Sequence, residues 1–194
     1  MRFRFLALAV ALLMPGAASA EWQIRPFLGL TFGGGTTFLD LEEAAGDPNF
    51  VYGGNVQWLG NIFGVEGDVG FGPGFFESGD QTIVTDSGVT TVMGSVVVTL
   101  PRRTTQYTLR PYLVGGFGLM YVRKADPANV FDPTTNLAAI NVGGGVTGFL
   151  TDRVGLSWDL RYFRNVTGPD VESGVTFGDA RLSFWRATMA VVFR

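Results

Sequence analysis

The chain has 194 residues, 14 basic and 17 acidic, a formal charge of −3, and neither cysteine nor histidine. No disulfide or histidine-based metal site or catalytic base is therefore available, and the acidic balance argues against nucleic-acid binding, which needs a basic footprint. Glycine is abundant, at 28 residues, and charge is sparse.

Residues 1–20 read as a secretory leader. Arg2 and Arg4 open it, Phe5 to Met14 is apolar, Pro15-Gly16 breaks the run, and Ala18-Ser19-Ala20 offers a small-residue cleavage site before Glu21. The apolar run is too short to span a bilayer as a helix. Residues 21–194 then form one domain. Loss of Arg2 and Arg4 with the leader leaves 12 basic against 17 acidic residues. No cysteine is present to carry a lipid anchor.

Along the domain, residues alternate in character with the period of two that marks strands with unlike faces. In the first strand Trp22, Ile24, Pro26, Leu28, Leu30 and Phe32 share a face, opposite Gln23, Arg25, Phe27, Gly29 and Thr31. A glycine-rich, acidic stretch from Gly33 to about Asn49 reads as a long loop. Phe50–Leu59 is a second strand, Gly60-Asn61 a tight turn, and Ile62–Phe71 a third strand in which Phe63, Val65, Val69 and Phe71 oppose Glu66 and Asp68. A polar loop over Gly72–Gly88 precedes a fourth strand, Val89–Leu100, and Pro101–Thr105 a short turn.

The fifth strand, Gln106–Val122, contains the clearest pattern. Tyr107, Leu109, Pro111, Leu113, Gly115, Phe117, Leu119 and Tyr121 lie on one face, which begins and ends on tyrosine. After a loop over Arg123–Leu137 come a sixth strand, Ala138–Phe149, a turn at Thr151–Arg153, and a seventh strand, Val154–Phe163. A loop over Arg164–Gly178 leads to the eighth strand, Asp179–Phe193.

Long and short connections alternate. That predicts an all-β fold, an eight-stranded antiparallel up-and-down transmembrane β-barrel, with tight turns at one end and long loops at the other. Closure satisfies every backbone polar group within lipid. Pro26 and Pro111 sit inside strands, and both are expected near the turn-side rim, where a bulge or one lost ladder bond costs least. Trp22, Trp58, Tyr107, Tyr121, Trp158 and Trp185 are expected as interface anchors.

The openings Arg25-Pro26-Phe27-Leu28 and Arg110-Pro111-Tyr112-Leu113, the segment Phe63-Gly-Val-Glu-Gly-Asp68 and the closing strand resemble the small eight-stranded outer-membrane β-barrels of Gram-negative bacteria, the OmpA/OmpX-like group. Met189, Val191 and Phe193 resemble the C-terminal signal that the family presents to the barrel-assembly machinery; the family pattern ends on the aromatic, whereas here Arg194 follows. The resemblance implies export, passage with periplasmic chaperones, and a monomer in a bilayer with lipopolysaccharide.

Enzymatic readings are weak, since barrel-type hydrolases of the outer membrane resemble one another in using a histidine. No cofactor or metal is expected. Gly33–Gly35 and Gly143–Gly145 lack the Lys-Ser/Thr and the helix of a phosphate loop. The acidic stretches Asp40–Glu43 and Asp170–Glu172 offer hard oxygens without EF-hand spacing and read as solvated loops.

The informative set is inward by parity: Arg25, Glu66, Asp68, Arg110, Asp159, Arg161 and Arg186. An eight-stranded lumen is just wide enough to be filled by side chains, so charges there must pair. Two roles are open: a structural ion-pair plug in a barrel that presents its loops, or a gate for a narrow, low-conductance channel. A soluble lipocalin-like carrier would need the opposite parity, with an apolar lumen.

Overall fold

The computed structural model describes residues 20–36, 48–74, 86–101, 109–125, 135–166 and 182–194. They form eight strands: β1 (Glu21–Thr36), β2 (Asn49–Leu59), β3 (Phe63–Pro73), β4 (Asp86–Thr99), β5 (Leu109–Ala125), β6 (Thr135–Phe149), β7 (Val154–Asn165) and β8 (Leu182–Phe193). Each pairs antiparallel with its sequence neighbours, and β8 pairs with β1 to close the barrel. All eight predicted strands and the meander are present.

The register defines the cylinder. The row Trp22, Trp58, Val65, Val96, Gly115, Val142, Tyr162, Trp185 returns to β1 at Phe32, ten residues above its start. Eight strands with a stagger of ten tilt by about 40°. On β1 the stretch from Trp22 to Phe32 then rises roughly 25 Å, the height of an outer-membrane apolar band.

The outer face is apolar throughout that band. Trp22, Ile24 and Leu28 on β1, Leu113 and Phe117 on β5, and Val142 on β6 are all exposed, Phe117 by 77%. In water such a surface would aggregate; in lipid it is the favourable one. The inner face is mixed. A polar middle layer holds the buried charges. Above it, Val89, Met93, Met120, Val122, Leu137, Phe163, Leu182 and Phe184 form an apolar cluster toward the loop end. Phe163 and Phe184 stack in it with ring centroids 5.1 Å apart.

Several boundaries differ from the sequence reading. β1 runs on through Gly33–Gly35 to Thr36, which pairs with Leu182; a register shift between Phe32 and Gly35 absorbs the extra residue, with Gly33 at φ 59°. Toward the loop end β3, β5 and β7 likewise run on beyond, and β4 and β6 begin before, the expected stretches, so Asp86, Arg123 and Arg164 belong to strands and not to connections. The cause is physical: apolar alternation stops at the edge of the band, whereas ladder pairing does not depend on side-chain polarity.

The first hairpin also turns one residue later than predicted. Gly60 donates its N–H to Phe63 O at 2.8 Å, making Asn61 and Ile62 the central pair, and Gly60 is not among the positive-φ glycines. The turn at Thr151–Arg153 is as predicted; Thr151 Oγ1 accepts the N–H of Val154 at 3.0 Å. Pro26 lies opposite Gly54 without a bulge, and the β1–β8 partners pass from Ile24–Phe193 to Phe27–Ala190, stepping over Arg25 and Pro26. Pro111 sits near the start of β5 and pairs with Val146, its carbonyl accepting from Leu100 N–H.

Candidate functional site: the lumen ion-pair network

Parity places all seven predicted lumen charges on the inner face, on five strands: Arg25 on β1, Glu66 and Asp68 on β3, Arg110 on β5, Asp159 and Arg161 on β7, and Arg186 on β8. Residues two apart on one strand share a face, so β3 and β7 each contribute two charges to the same layer.

Arg161 is the hub. Its guanidinium pairs with Glu66, through Nη1 to Oε1 and through Nη2 to Oε2 at 3.1 Å. It also takes both oxygens of Asp159, with Nε–Oδ1 at 2.6 Å and Nη2–Oδ2 at 3.0 Å. Asp68 Oδ2 lies 3.9 Å from its Nη1. Arg186 completes the network from the other side, donating from Nη2 to Asp68 Oδ1 and Oδ2 at 2.9 and 2.8 Å. Its guanidinium carbon sits 4.8 Å from the Phe27 ring centroid and 4.6 Å from that of Phe163, a sandwich that suits a weakly hydrated planar cation.

Neutral residues complete the shell. Gln57 donates its amide to Glu66, and Tyr112 donates its hydroxyl to Asp159 Oδ2 at 2.7 Å. Sequence parity places Gln23, Gln57 and Tyr112 on the inner face too, but charge alone does not single them out.

Arg25 is different. It is 2% exposed and donates to Gln23 Oε1 from Nε at 3.1 Å. Its guanidinium lies 5.3 Å from the Tyr112 ring centroid. No carboxylate among the described residues lies within ion-pair distance of it. The middle layer is nevertheless neutral in sum: Arg25, Arg161 and Arg186 face Glu66, Asp68 and Asp159. Arg161 hydrogen-bonds two carboxylates and lies within ion-pair distance of a third, where Arg25 has none.

Arg110 belongs to a separate cluster at the turn-side mouth, 3.3 Å from Glu21 Oε1. Glu21 also meets Arg194, Nη1 to Oε2 at 3.3 Å, and Gln23 Nε2 at 2.6 Å. Arg194 further donates to the Asp152 carbonyl at 2.8 Å and covers the Phe149 ring at 4.4 Å. The first and last residues of the barrel are thereby tied together.

Of the predicted anchors, Trp22 and Trp58 face each other at the turn end, and Trp185 packs on Tyr162 at 5.1 Å and pairs with Phe32 toward the loop end. Tyr121 lies toward the loop end of β5. Trp158 departs from the belt: it is two outward positions in from Val154, between Val146 and Met189, and faces the body of the apolar band. Tyr107 and the acidic stretches Asp40–Glu43 and Asp170–Glu172 lie outside the described residues. Met189, Val191 and Phe193 all point outward.

The arrangement defines a class of fold, a closed eight-stranded barrel with an apolar exterior and an ion-paired interior. No family model and no curated protein matches the sequence. Among solved structures, Neisserial surface protein A is similar, with a TM-score of 0.63 at 15% identity over 89% of this chain and 98% of that one. The N-terminal β-barrel domain of Pseudomonas aeruginosa OprF is similar with a TM-score of 0.56 at 14% identity, over 90% of this chain and 96% of that one. The shared feature is the fold of small outer-membrane barrels.

Proposed function

We propose that this chain is an integral outer-membrane β-barrel with a non-catalytic, structural or interaction role in the Gram-negative envelope, presenting its loops to the exterior over a closed lumen. The observation that carries the reading is the inversion of polarity: the outer face is a continuous apolar band, and the inner face is filled by paired charges and an apolar layer. Export by the leader, passage through periplasmic chaperones and the assembly machinery, and a monomeric state in contact with lipopolysaccharide belong to the same proposal.

The test is fractionation. The protein should sediment with outer membranes, migrate faster on gels before boiling than after, and react with membrane-impermeant labels at cysteines introduced near residue 42 but not near residue 152. A soluble or inner-membrane protein would overturn the reading.

One observation favours a second reading, a narrow channel gated by ion pairs. Arg25 lacks a carboxylate partner while Arg161 hydrogen-bonds two and neighbours a third, so movement of Glu66 or Asp159 toward Arg25 would redistribute the plug. Single-channel conductance separates the two.

A further inference from the structure

Inward residues along one strand are two apart, so a slab of lumen roughly 5 Å thick holds one from each strand. The register fixes which residues share a slab. At the loop-side edge of the apolar band, level with Phe32 and Trp185 outside, Thr31, Val51, Gly72 and Thr91 of β1–β4 lie in one slab with Met120, Ala139, Phe163 and Phe184 of β5–β8. None of these side chains carries a charge. Strands four apart face each other across the closed barrel, so Met120 faces Thr31, Val51 faces Ala139, Phe163 faces Gly72 and Phe184 faces Thr91. Each facing pair sets a larger side chain against a smaller one, the arrangement that fills a core layer.

The packing agrees. Met120 and Phe163 are fully buried, Phe184 is 2% exposed, and the two rings stack with their planes 11° apart. Both threonine hydroxyls are engaged: Thr31 Oγ1 donates to the Asn49 carbonyl at 3.3 Å, and Thr91 Oγ1 accepts from Arg186 Nη1 at 3.5 Å. A cavity at this level has room for about one water molecule, and its lining is almost entirely apolar. It lies between Phe184 and the wall of Thr31, Val51, Gly70 and Gly72, and Val89, Thr91 and Arg186 complete its lining. Above the slab, Val89, Val122, Leu137 and Leu182 continue the same apolar cluster. Below it, the next inward residues on β6 and β8 are Asn141 and Arg186, where the polar layer begins. Arg186 is held there by Asp68 and lies against the Phe163 ring at 4.6 Å.

We propose that this apolar double layer, centred on the Phe163–Phe184 stack, is the seal of the lumen, and that the ion pairs beneath it brace the barrel without gating it. An ion entering the layer must shed its water where no charge replaces it. A carboxylate that changes arginine partner in the layer beneath leaves the stack in place. The inference rests on the closed-lumen reading and names the side chains that close it.

The experiment is planar-bilayer recording of the full folded chain in concentrated potassium chloride, each variant first shown to fold by its boiling-dependent gel shift. The wild type should be silent. Phe163→Ala combined with Phe184→Ala should give ion steps that the wild type lacks. A folded double variant that stays silent overturns the assignment and leaves the closed lumen standing. Steps from Glu66→Gln with both rings intact do the same, because they place the seal in the ion pairs. Steps from the wild type itself count against the closed lumen and the assignment together. Should the double variant not fold, a wild-type crystal structure that resolves water decides. A layer without a continuous file of water at Phe163 and Phe184 supports the proposal, and an unbroken file past the two rings overturns it.

Discussion

Arg186 on the last strand grips both carboxylate oxygens of Asp68 on the third, at 2.9 and 2.8 Å, inside the lumen and over the two strands between them. The pair is buried on both sides and bridges strands that are not neighbours in the sheet. Removing one partner strands the other's charge in a low-dielectric interior. Asp68→Ala should therefore lower stability by about 3–5 kcal/mol, whereas Asp68→Leu combined with Arg186→Met should cost far less than the sum of the single changes. Urea titration of the refolded barrel, followed by the gel shift, measures both. Additive losses would show that the two side chains do not interact.

The glycines should divide by face. A Cβ at Gly145, on the inner face of β6, would lie 2.2 Å from Trp158 O and 2.7 Å from Tyr112 Oη, so Gly145→Ala must displace backbone or disturb the Tyr112–Asp159 bond. A Cβ at Gly67, on the outer face of β3, meets nothing within 4 Å. Gly67→Ala should fold with stability within about 0.5 kcal/mol of the wild type, and Gly145→Ala should be the less stable by more than about 1 kcal/mol. Equal effects in the same titration would contradict the assignment of faces.

The architecture was legible because lipid imposes a strict rule. Along β5, Leu109, Leu113, Phe117 and Tyr121 had to face out, and that alternation survives in sequence with no knowledge of pairing. The seven lumen charges followed from parity for the same reason. Strand ends did not: Asp86, Arg123 and Arg164 look like loop residues because the apolar constraint ends before the ladder does. Partner choice was illegible too. That Arg161 would gather three carboxylates and Arg25 none depends on the stagger of ten, which no single strand encodes. Trp158 shows the converse limit, because its depth depends on where β7 enters the sheet and not on its residue type.

Depth gives a separate test. In variants that retain one tryptophan, with the other three replaced by phenylalanine, Trp22 should be quenched best by bromines near the headgroups and Trp158 by bromines deep in the acyl chains. The register sets Trp22 at the head of β1 and Trp158 within the band. The reverse order, measured by fluorescence in brominated-lipid vesicles, would mean that the barrel sits at another height.

At the turn-side mouth, Arg194→Ala removes the 3.3 Å contact with Glu21, the bond to the Asp152 carbonyl and the cover on Phe149. The arginine's side chain is 25% exposed, so solvent screens the ion pair and the loss should be about 1 kcal/mol, falling as salt is raised. A loss as large as that of Asp68→Ala would show that the terminal tie matters more than its exposure allows.

The closed lumen is the central claim, and single-channel recording tests it most directly. The folded chain, with insertion proved by the gel shift and by labelling of the loops, should leave a planar bilayer silent in concentrated potassium chloride. Reproducible small steps that change with Glu66→Gln or Arg25→Met would contradict the closed lumen and establish the gated channel instead.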